Sequence, residues 1–132
     1  TNHSSRRLRR GLTQVLGLLM QPDLQPEDAL SQVVFVHDYV QLVFQDCGFS
    51  LYNVVTYCQG ATIIRQGRPG FSDALVSLIN QTASVEAQPG ALLLRFAGGG
   101  LLSVPTSGPD ARGPEAWQFS RLGGPTVVEQ NA

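Results

Sequence analysis

The sequence contains no lysine. That absence removes the Schiff-base amine, the phosphate-loop lysine and the kinase-type lysine, and with them the usual nucleotide enzymes. Histidine is nearly as scarce, with only His3 and His37. His3 lies in an N-terminal tail, and His37 stands beside Asp38 in an expected hairpin turn, which reads as a solvated turn residue rather than a base. The two cysteines, Cys47 and Cys58, have neither C-x-x-C spacing nor the density of a secreted scaffold, so they read as free thiols. Nothing in these spacings composes a Cys/His nucleophilic pair or a metal site, and neither a metal nor a cofactor is expected. No apolar run reaches the length needed to span a bilayer, so no membrane partner is expected.

Charge is thin as well: 14% of the 132 residues are charged against 42% hydrophobic, the balance of one compact domain rather than a disordered chain. All nine basic residues are arginines, and they are unevenly placed. Arg6, Arg7, Arg9 and Arg10 crowd the first ten positions, whereas 11–64 holds Asp23, Glu27, Asp28, Asp38 and Asp46 and no arginine. A formal net charge of −1 therefore conceals a basic arm and an acidic first half. The arm, SSRRLRRGL, superficially looks like a twin-arginine export signal. The apolar stretch after it is short, is interrupted by Thr13 and Gln14, and has no small-residue cleavage site, so it reads as helix and the protein as cytoplasmic.

What the chain does have is alternation. In VEAQPGALLLRFAGGGLLSV, over 85–104, Leu92, Leu94 and Phe96 fall on one side of an extended backbone between the turn formers Pro89-Gly90 and Gly98-Gly99-Gly100. This predicts a three-stranded antiparallel meander, with the triple glycine as a hairpin turn rather than a phosphate cradle, because it lies between two strands. Sliding the chain by fifty-two residues puts Val40, Leu42 and Phe44 on Leu92, Leu94 and Phe96, and one extra residue near Cys47 brings Leu51 onto Leu102. Each meander follows an apolar stretch, LTQVLGLLM or SDALVSLIN. The fold class expected is α+β: antiparallel β-meanders with two short helices, arranged as two pseudo-symmetric helix-plus-hairpin units, 1–66 and 67–132, in a single domain.

Taken in order, Leu8, Leu12, Val15, Leu16 and Leu19 make one stripe of an amphipathic helix over 7–20. Strands are predicted at 33–36, 40–44 and 49–57, with 61–64 extending the sheet. A second helix over 72–79 has Ser72 as its cap, Phe71 stapled to Val76, and Leu75, Leu78 and Ile79 buried. The turn formers over 105–114 read as a loop long enough to be mobile, and AWQFSR and TVVEQ as a closing hairpin across Gly123-Gly124. Glu115 and Trp117, just after the loop, are candidates for a partner- or ligand-facing site, as are Arg6, Arg7, Arg9 and Arg10. For Trp117 the leading expectation is the core, because Phe119 follows at the same-face spacing of two.

The run LVSLINQTASVEAQPGALLLRFAGGGLLSV followed by EAW resembles a widespread bacterial family of small proteins of uncharacterised function. Members show a leucine helix, a valine strand, an L-x-L-x-F strand, an acid-glycine turn, an L-x-V strand and a tyrosine-glutamate-alanine-tryptophan tetrad. Leu92, Leu94 and Phe96 match the middle strand, Leu102 and Val104 the third, and Glu115, Ala116 and Trp117 the tetrad. The match covers about the last sixty residues, and it departs where Gly98 replaces the turn acid and Pro114 the tetrad's tyrosine. Some relatives are similar to immunity proteins of bacterial toxin systems, which implies binding rather than catalysis.

The expectation is a non-enzymatic protein-binding domain, immunity-protein-like, whose partner is another protein such as a toxin, or a second copy in a homodimer. Acidic surfaces of that kind steer basic partners. The alternative is a nucleic-acid or small-molecule binder using the arginine arm, with nucleic acid ranked low. A carboxylate enzyme using Asp38, Asp46 or Glu115 ranks last, because these residues are scattered over turns.

Overall fold

The computed structural model describes residues 23–132. The expected helix over 7–20 and the arginine arm lie outside the described residues. Ten strands form: β1 (Leu30–Val36), β2 (Tyr39–Phe44), β3 (Cys47–Leu51), β4 (Thr56–Gln59), β5 (Thr62–Arg65), β6 (Ala83–Gln88), β7 (Ala91–Phe96), β8 (Leu101–Pro105), β9 (Glu115–Arg121) and β10 (Thr126–Gln130). The helix α1 (Phe71–Val76) separates β5 from β6. The chain is thus mostly antiparallel β-sheet with one short helix among the described residues.

The strands assemble into two five-stranded sheets, the first in the order β1-β2-β3-β9-β10 and the second in the order β6-β7-β8-β4-β5. Each three-stranded meander is completed by the hairpin that ends the other half of the chain. Alternation explains the inner faces: Val40, Leu42 and Phe44 of β2 are buried, as are Leu92, Leu94 and Phe96 of β7, while their sequence neighbours face outward. One cluster of buried side chains joins both sheets, with the Phe49 and Phe119 rings tilted against one another at 4.9 Å in the first and Leu102 and Tyr57 at paired positions across β8 and β4 in the second.

Four expectations change. First, the strand predicted over 49–57 is broken: β3 ends at Leu51 in the first sheet and β4 begins at Thr56 in the second. The break is made by Asn53, fully buried, whose amide nitrogen donates to the Pro105 carbonyl at 2.7 Å and to Asn131 Oδ1 at 2.6 Å, while its Oδ1 accepts from the Arg112 N–H at 2.7 Å. Second, the 105–114 loop is tied down rather than free. Val54 donates to the Asp110 carbonyl, Arg65 pairs with Asp110, and the terminal Ala132 N–H donates to the Thr106 carbonyl.

Third, α1 starts at Phe71 with Gly70 as its cap, in the left-handed region at φ 90°, and no side chain caps it. Ser72 is already inside the helix. Val76 is half exposed, so Phe71 packs into the core without a staple to it, and the chain leaves the helix there before turning at Asn80, φ 79°. Leu75 and Leu78 are buried as expected. Fourth, the meanders match in a different register. Val40 and Leu92 pair with Leu51 and Val104, and Leu42 and Leu94 with Phe49 and Leu102, so Phe49 rather than Leu51 is the counterpart of Leu102.

Candidate functional site

The sandwich has two ends and two outward faces, and the residues singled out in the sequence fall among them differently. Glu115 opens β9 at the end where both chain crossings lie. There it lines a hollow of about 200 Å³ together with Asp38, Tyr39, Tyr52, Arg112 and Pro114. The rings of Tyr39 and Tyr52 tilt against one another at 5.2 Å, and the Arg112 guanidinium donates to the Asp38 carbonyl. Two carboxylates separated by 77 positions are thereby brought to one rim, which spacing alone did not imply. The volume falls below the roughly 300–1,000 Å³ of ordinary small-molecule sites, so the hollow is a surface feature rather than an enclosing pocket.

Trp117 does not share that hollow. It is 3% exposed, on the inner face of β9 opposite Leu51 and Glu129. A bulge sets it there: Trp117 pairs with Glu129 and Glu115 with Gln130, leaving Ala116 as the extra residue. The freed Ala116 carbonyl accepts from the N–H groups of Tyr52 and Asn53, so the bulge also anchors the crossing out of β3. The partner-facing role considered for Trp117 is replaced by a core role.

The opposite end is organised by Asp46 and Arg121. Arg121 donates to Asp46 Oδ2 at 2.8 Å and to the Gln25 carbonyl at 2.8 Å, and its guanidinium lies 5.2 Å from the centre of the Phe119 ring. Desolvation alone would raise the Asp46 carboxyl. The backbone N–H groups of Glu27, of Asp46 itself and of Asp28, with the Arg121 charge, outweigh it and hold the group below its ordinary value. Burial, reinforced by the Asp46 charge, pushes the neighbouring Cys47 thiol up to about 12, so it stays protonated at neutral pH and is not a nucleophile. Cys47 and Cys58 are both free.

His37 is exposed in the β1–β2 turn, and among the described residues no three His, Cys, Asp or Glu side chains gather as metal ligands would. The triple glycine is a close-packed turn. Gly99 has φ 101°, and a Cβ at Gly100 would lie 3.0 Å from Leu78 Cδ2. Gln81 and Gln59 clasp Gly98, the first accepting from its N–H at 2.9 Å and the second donating to its carbonyl at 3.0 Å.

The outward faces of the two sheets were not distinguished by the sequence pattern, and they differ most. On the first sheet, one row across the strands reads Val34, Gln41, Ser50, Gln118, Val128 and the next Gln32, Val43, Gly48, Ser120, Thr126. Neither row has a charge. On the second sheet, one row reads Ser84, Arg95, Leu101, Cys58, Ile63 and the next Glu86, Leu93, Ser103, Thr56, Arg65. Ile63 is 70% exposed, and Leu93, Leu101 and Cys58 are partly exposed beside it. Glu86 and Arg65 stand on the two edge strands and Arg95 on the inner strand β7: Arg95 lies 3.7 Å from Glu86, both side chains more than half exposed, and Arg65 pairs with Asp110. The apolar run Leu101, Cys58, Ile63 thus extends from the middle strand β8 to the edge strand β5, with Arg95 next to Leu101 on its other side.

No helix of the described residues is long and apolar enough to cross a membrane. No family model, curated protein or solved structure matches this chain.

Proposed function

We propose that the chain acts as a non-enzymatic protein-binding domain, working in the cytoplasm, and that its binding surface is the outward face of the second sheet. The observation that carries this reading is the row Leu101, Cys58, Ile63, apolar across three adjacent strands and bordered by Arg95, Glu86 and Arg65. An exposed isoleucine on an edge strand costs solubility unless something covers it.

A second reading is an immunity-like role in which a basic toxin is drawn to the acidic remainder of the surface rather than to this face. All ten acids but only five of the nine arginines lie within 23–132, which leaves this part five net negative charges. A field of that sign speeds encounter with a basic protein. The likeness of 75–117 to the bacterial family supports the same reading. We also read the matching strand orders as two helix-plus-strand units that exchange their last hairpins.

The test is affinity capture with the native chain and with an Ile63→Glu, Leu101→Glu variant of unchanged melting temperature. A protein retained in stoichiometric amount by the first and lost by the second, a differently tagged copy of this chain included, supports the proposal. Equal retention by both, or none by either, overturns it.

A further inference from the structure

We infer that the occupant of this face is a second copy of the same chain, seated about a twofold axis lying in the interface close to the direction of β8. The inference rests on the reading of the face as a protein-binding surface and adds the partner.

The strand register makes this face self-complementary. Glu86, Leu93, Ser103, Thr56 and Arg65 are mutually paired across β6, β7, β8, β4 and β5, so one row carries an acid at one edge, a base at the other, and no charge between them. β8 is the middle strand. A twofold axis along it inverts the row, laying β5 of one copy over β6 of the other. Glu86 of each copy then meets Arg65 of the other, Leu93 meets Thr56, and Leu101 of the neighbouring row meets its own counterpart on the axis. Isologous contacts demand this self-complementarity, and an axis running across the strands would not supply it, because it would superpose each edge on itself.

Charge permits this face for two copies of one chain, as it permits the uncharged face of the first sheet, and the exposed Ile63 distinguishes the two. The described residues carry five net negative charges, so most approaches of like to like are repulsive. Here Arg95 and Arg65 balance Glu86 and Asp110. Size then sets the strength. Five strands at about 4.8 Å and five residues at about 3.3 Å give a footprint of roughly 400 Å² per copy, so two copies bury roughly 800 Å². That lies below the roughly 1,200–2,000 Å² of stable specific complexes, so the dimer is a weak, transient one that forms at high micromolar concentration.

Sedimentation velocity of the purified full chain from about 1 to 200 μM reads the association directly, together with the charge reversals Glu86→Arg and Arg65→Glu. The native chain dimerises, and each reversal alone weakens association roughly tenfold or more, since the twofold repeats every contact. The two reversed chains mixed together form a heterodimer. In it the arginine introduced at position 86 of one chain faces the glutamate introduced at position 65 of the other, and the native Arg65 of the first faces the native Glu86 of the second. That rescue does not follow from misfolding of either variant. A native chain that stays monomeric throughout the range overturns the inference, as does a mixture no more associated than its components. Capture of a different protein that depends on Ile63 would still leave the binding surface itself standing in either case.

Discussion

The two sheets have nearly interchangeable inner faces and quite different outer ones. Val40, Leu42 and Phe44 do inside the first sheet what Leu92, Leu94 and Phe96 do inside the second. Outside, glutamine, serine, threonine and glycine with Val34, Val43 and Val128 cover the first without a charge, while Leu93, Leu101, Cys58 and Ile63 run across the second among Glu86, Arg95 and Arg65. Burial constrains one side of every strand and leaves the other free, so the difference between the outward faces is not dictated by the fold. Function is therefore sought on the side the core leaves unconstrained.

The comparison presumes that both outer faces ride on one cooperative core, and the largest expected effect tests that. Trp117 belongs to the first sheet but sits in the cluster shared by both. Trp117→Ala is expected to cost about 3–5 kcal/mol. Fluorescence of tyrosine residues on the two sheets, Tyr39 and Tyr57, or exchange of their amides, should then report a single unfolding transition. Separate transitions would show that the sheets fold independently and that their faces need not be compared as parts of one body.

A smaller effect belongs to the first sheet alone. Arg121 holds the segment before β1 against β9 through Asp46 and the carbonyls of Gln25 and Asp23. Arg121→Ala should cost about 1.5–3 kcal/mol, the range for hydrogen bonds to charged groups. The pH dependence has a definite sign. The Asp46 carboxyl ionises below its ordinary value of 3.8, so its contribution is complete above that pH and is lost as pH falls through the lower, folded value. Acid titration of melting temperature should fall more steeply for the native chain than for Asp46→Asn, and identical profiles would remove Asp46 from the account.

Much of the inner architecture was legible in the residues. The 83–105 meander, its two glycine turns, the closing hairpin and the burial of Trp117 follow from alternation and turn chemistry, which are local. Asn53 was not, because Val54, Val55 and Tyr57 around it have strong strand preferences and the break is enforced by partners as distant as Asn131. The Ser72 cap failed for a related reason: Gly70, with its left-handed backbone, already supplies the turn into α1. The outward row Leu101, Cys58, Ile63 was illegible in principle, since it exists only once β4 pairs with β8 across the two halves of the chain.

The cysteines mark the inner and outer sides chemically. Cys47 is buried with its thiol pushed up to about 12, whereas Cys58 lies partly exposed on the second sheet's outer face. Native alkylation at neutral pH should modify Cys58 and spare Cys47, and denaturant should make both react. Labelling of Cys58 should also slow as protein concentration rises into the range where copies associate. Modification of Cys47 at the same rate as Cys58 in the folded chain would contradict the assignment of sides.

The smallest expected change in stability gives the sharpest separation of the two faces. Gln118→Glu and Leu101→Glu place the same charge at solvent-facing positions of central strands, one on each sheet. Both side chains are part-buried and neither belongs to the shared core, so each should shift stability by about 1 kcal/mol or less. Association should part company with stability. A carboxylate at Gln118 adds charge to a face that binds nothing in the arrangement proposed, and the sedimentation profile should not move. A carboxylate at Leu101 lies at the twofold axis against its own counterpart, where like charges meet in a desolvating contact, and dimer should disappear from the micromolar range. Equal effects of the two substitutions on association would erase the distinction between the faces, whatever the sign of either effect.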